Sequence, residues 1–355
     1  MPRPLTAIIE SSALRHNLGV VRRCAPRAAV FAVLKADAYG HGLARAASAL
    51  ADADGVALVE IDAAVRLREG GERRRLALLE GVFEPTELAV AAAHDLTLTV
   101  HHEDQLRMFD EAPEGARFDV MLKINTGMNR LGFAPAAARD AIARVGAHRA
   151  VKSLTLMTHF ATADEPRGVA WQMQVFEEIA AAHRLPRCLA NSAAILRHPG
   201  THGDWVRPGI MLYGCSPFAD ASATELGLKP VMTLAGALIA VRELKRGERV
   251  GYGGTFEAPA AMRIGIVACG YADGYPRHAP TGTPILVGGR RTRTLGRVSM
   301  DMLCADLTGI PDAHTGTPVT LWGEGLSADE VATAAGTVSY ELLCALAPRV
   351  AVVET

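Results

Sequence analysis

Residues 30–42 read Val30-Phe-Ala-Val-Leu-Lys35-Ala-Asp-Ala-Tyr39-Gly-His-Gly42. The first five residues are apolar and include β-branched and aromatic side chains, a pattern typical of a strand buried on both faces of a parallel sheet. The apolar run ends at Lys35, and the chain then turns. Desolvation lowers the pKa of a lysine ammonium and frees an amine that can attack a carbonyl group. A lone lysine at a strand end more often extends to solvent, but residues further along the chain favour covalent chemistry.

The composition is typical of a well-packed globular protein. A length of 355 residues, with 49% hydrophobic and 21% charged residues, favours two domains or one barrel with an appendage. A formal net charge of -1 offers no basic surface to nucleic acid or an anionic membrane. The N-terminus lacks an apolar signal core, and no apolar run approaches the length of a membrane span. We therefore expect a cytoplasmic protein.

The cysteines and histidines do not form a metal-binding or disulfide pattern. The cysteines are scattered without a C-x-x-C pair, namely Cys24, Cys188, Cys215, Cys269, Cys304 and Cys344. His101 and His102 are adjacent, and neighbouring side chains on an extended chain point to opposite faces. We expect no metal site.

Eight short apolar runs alternate with amphipathic, alanine-rich segments between residue 30 and about residue 215. The predicted strands cover residues 30–36, 55–61, 76–81, 96–101, 118–125, 153–160, 188–193 and 204–207. The predicted helices cover residues 43–50, 62–68, 85–94, 136–145 and 169–182. Eight strands separated by helices favour a closed (β/α)8 barrel, of the TIM type, over an open doubly wound sheet.

The pattern changes near residues 226–230, where helical periodicity fades and strands rich in Val, Ile and Thr begin. The pair Gly288-Gly289 separates two apolar or β-prone runs and predicts a two-residue hairpin. We predict an α/β barrel over residues 10–226 and a separate mainly-β domain over residues 227–355. Residues 1–9, which include a strand at 6–10, could pair with either domain.

Polar side chains and two backbone amides lie at or just after the carboxyl ends of the predicted barrel strands, where ligands bind in such barrels. They are Lys35, Tyr39, Asn125, Arg130, His159, Asn191, Ser192, Arg207, Gly209 and Ile210. The amides of Gly209 and Ile210 open a short segment that could begin a helix and bind an anion. A nucleophilic lysine beside a phosphate site suggests a phosphorylated aldehyde cofactor, pyridoxal phosphate.

The chain resembles the alanine racemase family over nearly its whole length. The motifs that carry the resemblance, in family order, are Ala32-Val-Leu-Lys35-Ala-Asp-Ala-Tyr39-Gly-His-Gly42, Asn125-Thr-Gly-Met-Asn-Arg130-Leu-Gly132, Thr158-His159-Phe-Ala, Asn191-Ser192-Ala, Arg207-Pro-Gly-Ile-Met-Leu-Tyr-Gly214, Gly251-Tyr252-Gly-Gly-Thr, Gly270-Tyr271-Ala-Asp-Gly-Tyr275-Pro, Val298-Ser-Met300-Asp301 and Tyr340-Glu341. So many motifs in one order are far more specific than any of them alone.

The resemblance implies a homodimer with shared active sites and two bases. Lys35 would bind pyridoxal 5'-phosphate covalently and act as the base on one face of the substrate. Tyr271 of the partner subunit would act on the opposite face, so that L- and D-alanine interconvert. A tyrosine titrates near ~10 and needs cationic neighbours to act near neutrality. Arg130 and the pair of Arg207 and His159 would supply them.

The remaining roles follow from the same resemblance. Arg207 would lie against the ring nitrogen of the cofactor, oriented by a hydrogen bond with His159. Its permanent charge would keep that nitrogen unprotonated and limit transamination. Other cofactor contacts would come from Tyr39, Asn191, Ser192, Gly209, Ile210 and Tyr340. Arg130 and the backbone amide of Met300 of the partner subunit would meet the substrate carboxylate, and Asp301 would support the Met300 loop.

Three further positions can be compared with the common family pattern: one agrees with it, and two differ from it. Many relatives carry a carbamylated lysine seven positions before the Arg130 equivalent, and here that position is Lys123. Asn125 stands where aspartate is common, and Cys188 stands where histidine is common. We hypothesise that Lys123 is carbamylated, and the cysteine at position 188 leaves open which residues line the substrate entry.

Other functions remain open from the sequence. A racemase of broad specificity or a decarboxylase of the same fold would keep the cofactor, although decarboxylases usually place an acid beside the ring nitrogen. A non-catalytic pyridoxal-phosphate-binding barrel would lack the C-terminal third, and a Schiff-base aldolase would not need the phosphate site. The sequence does not distinguish a role in supplying peptidoglycan precursors from one in alanine catabolism.

Overall fold

The computed structural model describes residues 3–355 and begins with a strand that belongs to the C-terminal part of the chain. Strand β1 (Leu5–Ile9) pairs antiparallel with residues 232–236 and parallel with residues 351–354. The N-terminal strand, whose partner the sequence left open, therefore joins the C-terminal sheet. Helix α1 (Ser11–Cys24) follows, and the Glu10 carboxylate caps it by accepting from the amide of Ser12 at 3.1 Å.

Eight parallel strands form a closed barrel, which confirms the predicted fold class. They are β2 (Ala29–Val33), β3 (Gly55–Leu58), β4 (Arg75–Leu78), β5 (Leu96–Val100), β6 (Phe118–Lys123), β7 (Val151–Met157), β8 (Arg187–Cys188) and β9 (Trp205–Val206). The strands are shorter than the apolar runs because each run continues into the turn beyond the strand. The seventh run was predicted too long: β8 ends at Cys188, and Ser192 already begins a helix.

The helices after the strands cover the outside of the barrel. They are α3 (Leu43–Ala49), α4 (Ile61–Glu69), α5 (Glu87–Ala93), α6 (Glu103–Met108), α7 (Pro135–Ala147), α8 (Ala170–Ala180) and α9 (Ser192–Arg197), whereas α2 (Lys35–Tyr39) is a single turn at the carboxyl end of β2. Their inner faces are rich in buried alanine, such as Ala64, Ala91 and Ala138, each 0% exposed. The alanine bias of the sequence is therefore explained by helices that pack closely on the barrel strands.

The C-terminal part is a sheet of antiparallel strands joined by β1. Its strands are β10 (Met232–Leu244), β11 (Arg249–Val250), β12 (Phe256–Glu257), β13 (Met262–Val267), β14 (Pro284–Val287), β15 (Arg290–Leu295), β16 (Leu303–Asp306), β17 (Pro318–Trp322) and β18 (Ala351–Glu354), with β11 and β12 forming a separate pair. The predicted hairpin between β14 and β15 is confirmed, and Gly288 and Gly289 have φ of 56° and 73°. Two consecutive positive φ angles suit glycine and match the twist of the flanking strands.

Two short helices connect the sheet to the barrel: α10 (Ala328–Ala335) and α11 (Ser339–Cys344). Helix α11 packs against α2, so close that a Cβ on Gly40 would overlap the carbonyl of Leu343. This contact brings Tyr340 to the mouth of the barrel. Among residues 3–355, none of the helices has the length and apolar character needed to cross a membrane.

Candidate active site

A cleft of about 720 Å³ opens at the carboxyl ends of the barrel strands. Eleven of the predicted site residues line it: Lys35, Tyr39, Lys123, Arg130, His159, Asn191, Ser192, Arg207, Gly209, Ile210 and Tyr340. The structure therefore brings together side chains from five barrel strands and from helix α11. Four of them are lysine or arginine, namely Lys35, Lys123, Arg130 and Arg207, and this charge suits an anionic ligand.

The turn after β2 fixes Lys35 at the floor of this cleft through an unusual backbone. Ala36, Asp37, Ala38 and Tyr39 all have positive φ, between 51° and 55°, so four non-glycine residues form one left-handed turn. Each such residue costs roughly 1–2 kcal/mol, and strained backbone of this kind is characteristic of functional sites. The carboxylate of Asp37 accepts from the amide of Leu43 at 2.8 Å, which ties the turn to the next helix.

His41 secures the same turn from inside the protein. Its side chain is 0% exposed, and Nδ1 lies 3.0 Å from the carbonyl of Ala38 and 2.9 Å from that of Tyr39. Burial lowers the pKa of this imidazole to about 4. A neutral ring whose Nδ1 carries the proton can donate to both carbonyls. Sequence reasoning did not identify this function of His41.

The residues predicted to bind phosphate form a small cradle. The Ser192 hydroxyl accepts from the amide of Gly209 at 2.9 Å and from that of Met211 at 3.4 Å. The hydroxyl of Tyr39 lies against Gly209, where a Cβ would come within 2.6 Å of it. The amide of Ile210 has no hydrogen-bond partner within residues 3–355. The cradle thus offers one free amide and two hydroxyls, while the Gly209 amide, expected to bind the anion directly, is turned toward Ser192.

Arg207 is buried, and its terminal nitrogens are held by backbone carbonyls. Nη1 donates to the carbonyl of Cys188 at 2.5 Å, and Nη2 donates to those of Thr158 at 2.8 Å and Leu189 at 3.1 Å. Its Nε has no partner among the described residues, although the side chain lines the cleft. The guanidinium is therefore fixed in orientation and keeps one N–H available for a ligand acceptor.

His159 lies beside Arg207 and is held by a buried polar network. Nη2 of Arg207 is 3.4 Å from Nδ1 of His159. Burial first, and then the neighbouring Arg207, lower the pKa of His159 well below 6.5. The imidazole is thus neutral. Of Arg207 and His159, which we expected to favour the ionised form of Tyr271 together, only Arg207 carries a positive charge.

Gln172 of helix α8 holds the segment that carries His159. This glutamine is 0% exposed; its amide nitrogen donates to the Thr126 hydroxyl at 2.9 Å and to the His159 carbonyl at 3.1 Å, and its oxygen accepts from the Ala161 amide at 2.7 Å. The Thr126 hydroxyl is in turn 2.8 Å from that of Thr158. Sequence reasoning missed Gln172, because a glutamine in an amphipathic helix ordinarily indicates a solvated face.

Lys123 and Arg130 meet at the side of the cleft formed by β6 and the loop that follows it. Lys123 is 6% exposed, and burial first, then the charges of Arg207 and Arg130, lower the pKa of its ammonium to about 8. The loop is shaped by Asn125, whose side-chain oxygen accepts from the amides of Gly127 at 3.1 Å and Asn129 at 3.0 Å. Asn125 therefore has a local structural function in place of the charge that aspartate would bring.

Cys188, at the position where relatives often carry histidine, is not among the residues that line the cleft. Its side chain is 0% exposed, and its sulfur lies 3.1 Å from Nη1 of Arg207. It sits behind the guanidinium because the β8 strand ends there with this side chain turned inward. Glu80 and Asp164 line the cleft instead, and neither was singled out from the sequence.

Tyr271 lies in the loop between β13 and β14, and Met300 and Asp301 lie in the loop between β15 and β16; none of the three is among the residues of this chain that line the cleft. Tyr271 is 37% exposed and Met300 is 53% exposed, which is unusual for large apolar side chains. The Tyr271 amide donates to the Ser299 carbonyl at 3.0 Å. The Tyr271 loop (residues 268–283) and the Met300 loop (residues 296–302) therefore lie side by side. Asp301 accepts from Nη2 of Arg349 at 2.7 Å.

The cleft residues fit pyridoxal phosphate. A lysine on the cleft floor suits a Schiff base, the cradle of Ser192, Tyr39 and Ile210 suits a phosphate, and the unpaired Nε of Arg207 suits a ring nitrogen as acceptor. Residues 3–355 contain no group of three or more side chains placed to hold a metal ion.

Comparison with known proteins gives matches over both parts of the chain. The family model described as alanine racemase, N-terminal domain, matches residues 9–217, and that described as alanine racemase, C-terminal domain, matches residues 231–354. The second match disfavours a non-catalytic barrel, which would lack this part.

Individual relatives agree with the family models. Alanine racemase of Nitrosospira multiformis is 58% identical, over 98% of this chain and 99% of its own. The crystal structure of a biosynthetic alanine racemase from Pseudomonas aeruginosa is similar with a TM-score of 0.97 and 50% identity, covering 99% of each chain. That of alanine racemase from Acinetobacter baumannii has a TM-score of 0.93 and 38% identity, covering 99% of this chain and 100% of its own.

Proposed function

Because this chain belongs to the alanine racemase family of pyridoxal-phosphate-dependent isomerases, we propose that it interconverts L- and D-alanine with two bases, Lys35 and Tyr271, drawn from two subunits of a homodimer. One observation carries the proposal. Lys35 lines the cleft of its own chain, whereas Tyr271 is partly exposed in a loop of the C-terminal part, outside that cleft. A symmetric pair of chains would let each Tyr271 enter the cleft of the other.

Racemisation needs two groups because the α-proton must leave from one face and return to the other. When bound, pyridoxal phosphate withdraws electrons from the α-carbon and makes its proton acidic. Nζ of Lys35 would then exchange a proton at one face, and the hydroxyl of Tyr271 of the partner subunit at the other. The cationic side chains in the cleft, Arg130 and Arg207, would favour the ionised form of that tyrosine.

The remaining cleft residues would hold the cofactor and substrate. Ser192, Tyr39, Tyr340 and the amide of Ile210 would bind the phosphate, with Gly209 acting through Ser192. Asn191 begins helix α9 and accepts from the amide of Ala194 at 3.0 Å, which would fix Ser192 beside it.

Arg207 would donate from Nε to the ring nitrogen. As a permanent cation it has no proton to give away, so it would keep that nitrogen unprotonated. His159 would orient it, and neutral His159 is suited to accept from its Nη2.

Arg130 and the amide of Met300 of the partner subunit would bind the substrate carboxylate. We also propose that Lys123 is carbamylated. A pKa of about 8 leaves a fraction of its amine uncharged near neutrality, and only that form reacts with carbon dioxide. The resulting carbamate would pair with Arg130 and remove the repulsion between the two cations.

The experiment that tests this function follows the α-proton. Purified protein loaded with pyridoxal phosphate is incubated with L-alanine in deuterated water, and the products are separated by chiral chromatography and weighed by mass spectrometry. We expect D-alanine carrying deuterium at the α-carbon, with much slower turnover of L-serine and other amino acids. Release of carbon dioxide, or turnover of many amino acids at similar rates, would contradict the proposal.

A further inference from the structure

Asp273, two residues after Tyr271, is a fully buried carboxylate that accepts four hydrogen bonds. Arg3 donates from Nη1 at 2.5 Å and from Nη2 at 2.8 Å, Arg349 donates from Nε at 2.7 Å, and the amide of Gly270 donates at 2.8 Å. Burial raises the pKa of this carboxyl, but the hydrogen bonds from Arg3 and Arg349 outweigh it, and the net pKa is lowered from 3.8. Asp273 is therefore ionised and locked by two cations.

The same two arginines also hold the Met300 loop. Nη2 of Arg3 donates to the carbonyl of Asp301 at 2.5 Å, and Nη2 of Arg349 donates to the Asp301 carboxylate at 2.7 Å. Each planar guanidinium thus spans from Asp273 to Asp301, which is the use to which arginine is better suited than lysine.

The two loops that the arginines connect are in direct contact. The amide of Tyr271 donates to the carbonyl of Ser299, and the amide of Ala272 donates to that of Met300, both at 3.0 Å. A movement of one loop therefore moves the other. Neither arginine side chain lines the cleft of its own chain.

We propose that Arg3 and Arg349 are positioning residues that set the Tyr271 hydroxyl and the Met300 amide relative to each other, through Asp273 and Asp301. The inference rests on the proposed function, in which both groups enter the cleft of the partner subunit. Arg3 precedes β1 and Arg349 precedes β18, and these two strands pair in parallel. Both ends of the described chain thereby hold the loops that would complete the other subunit's site.

Loss of one arginine is expected to misplace both groups without affecting the barrel that binds the cofactor. For Arg349→Met we expect kcat to fall by about tenfold to a hundredfold, since small misplacements of catalytic groups have costs of this size. We also expect KM for alanine to rise, because the Met300 amide moves with Tyr271. Affinity for pyridoxal phosphate, measured by titration of its visible absorbance, is expected to be unchanged.

Two further variants make the measurement specific. Arg349→Lys keeps the charge without the fork and is expected to recover part of the lost kcat. Arg291→Met is the matched control, because Arg291 is an exposed residue of the same sheet that pairs with Glu330, and its kcat should equal that of the wild type. If Arg349→Met has wild-type kcat and KM, the inference is wrong.

Hybrid dimers locate the defect. In a hybrid of Arg349→Met with Lys35→Ala, the one complete site takes Lys35 from the first chain and Tyr271 from the second, whose arginines are intact. We expect its activity to equal that of a hybrid of Lys35→Ala with Tyr271→Phe. In a hybrid of Arg349→Met with Tyr271→Phe, the only Tyr271 lies on the altered loop, and activity should stay low.

The outcomes separate the inference from the function on which it rests. Equal activity of Arg349→Met in both hybrids, while Lys35→Ala and Tyr271→Phe complement each other, would overturn the positioning role alone. Failure of Lys35→Ala and Tyr271→Phe to complement each other in hybrids that form would contradict the shared site itself.

Discussion

Nη2 of Arg207 lies 3.4 Å from Nδ1 of His159, and this buried cation contributes, after burial itself, to a pKa of the imidazole well below 6.5. His159 is consequently neutral at physiological pH, and it can accept a hydrogen bond from the guanidinium. Together with three backbone carbonyls, it fixes the orientation of Arg207, whose side chain lines the cleft. We expect the permanent positive charge of Arg207 to determine which reaction the site favours.

Replacing that cation with an acid should change the reaction outcome. In Arg207→Glu a carboxyl would stand beside the ring nitrogen and allow it to take up a proton, which strengthens electron withdrawal. We expect slower racemisation and more transamination, measured as pyruvate formed for each alanine racemised. Arg207→Lys, which keeps the charge, is the control and should not raise this ratio. An unchanged ratio in Arg207→Glu would contradict the function that we assign to Arg207.

Lys123 should make stability and modification depend on pH. A shift of its pKa from 10.5 to about 8 corresponds to about 3 kcal/mol at about 1.4 kcal/mol per pH unit. The unfolded chain binds more protons between these values, so the free energy of unfolding of unmodified protein should rise with pH between about 8 and 10.5. In buffer free of carbon dioxide at pH 7, Lys123→Met should be more stable than the wild type in urea denaturation.

The same residue provides a direct test of carbamylation. With bicarbonate present, intact-mass measurement should show one added carboxyl group, and the modified fraction should increase as the pH is raised through about 8. Lys123→Met should not gain this mass. A bare amine at Lys123 over the whole pH range would remove the hypothesis.

Gly270 should tolerate no side chain, although its φ of -148° is open to any residue. A Cβ there would lie under 3.0 Å from the carbonyl oxygens of Ser299 and Met300, which are backbone atoms and cannot turn aside. Gly270→Ala is expected to cost about 1–3 kcal/mol in the free energy of unfolding and to lower kcat. Gly309→Ala is the matched control, since a Cβ at Gly309 meets nothing within 4 Å. Equal stability of both variants would show that the two loops are not tightly packed.

The buried hydrogen bonds of Gln172 should stabilise the folded protein. Gln172→Met has a similar shape but leaves Thr126 and the carbonyl of His159 without their buried donor, at an expected cost of about 1–3 kcal/mol. Thermal unfolding of the protein without cofactor measures this cost. Gln174→Met, on the exposed side of the same helix, should have little effect.

The barrel could be predicted because each of its strands has a hydrophobic pattern that is visible within a few consecutive residues. Parallel strands buried on both faces give continuous apolar runs, and all eight runs correspond to strands, although β8 and β9 have only two residues each. The place of the strand β1 could not be predicted, because its partners lie more than two hundred residues away. The division of the chain at residue 226 stays a prediction.

The site residues could be predicted where a motif places them at the end of a strand. They could not be predicted where the backbone conformation, or a partner distant in the sequence, determines their position. Ala36, Asp37 and Ala38 do not favour positive φ, so tertiary contacts impose the left-handed turn that sets Lys35. Asp273 lies within a recognisable motif, but its partner Arg3 is 270 residues away in sequence. Such a pair follows no local pattern and is visible only in the folded chain.

The central claim is that each active site combines Lys35 of one subunit with Tyr271 of the partner subunit. The most direct measurement is alanine racemisation by hybrid dimers of Lys35→Ala and Tyr271→Phe, carrying different affinity tags and isolated by sequential purification. Each homodimer should be inactive, whereas the hybrid contains one site with both groups and should have about half of the wild-type activity per dimer. An inactive hybrid that is shown to be dimeric and to bind pyridoxal phosphate would contradict the account.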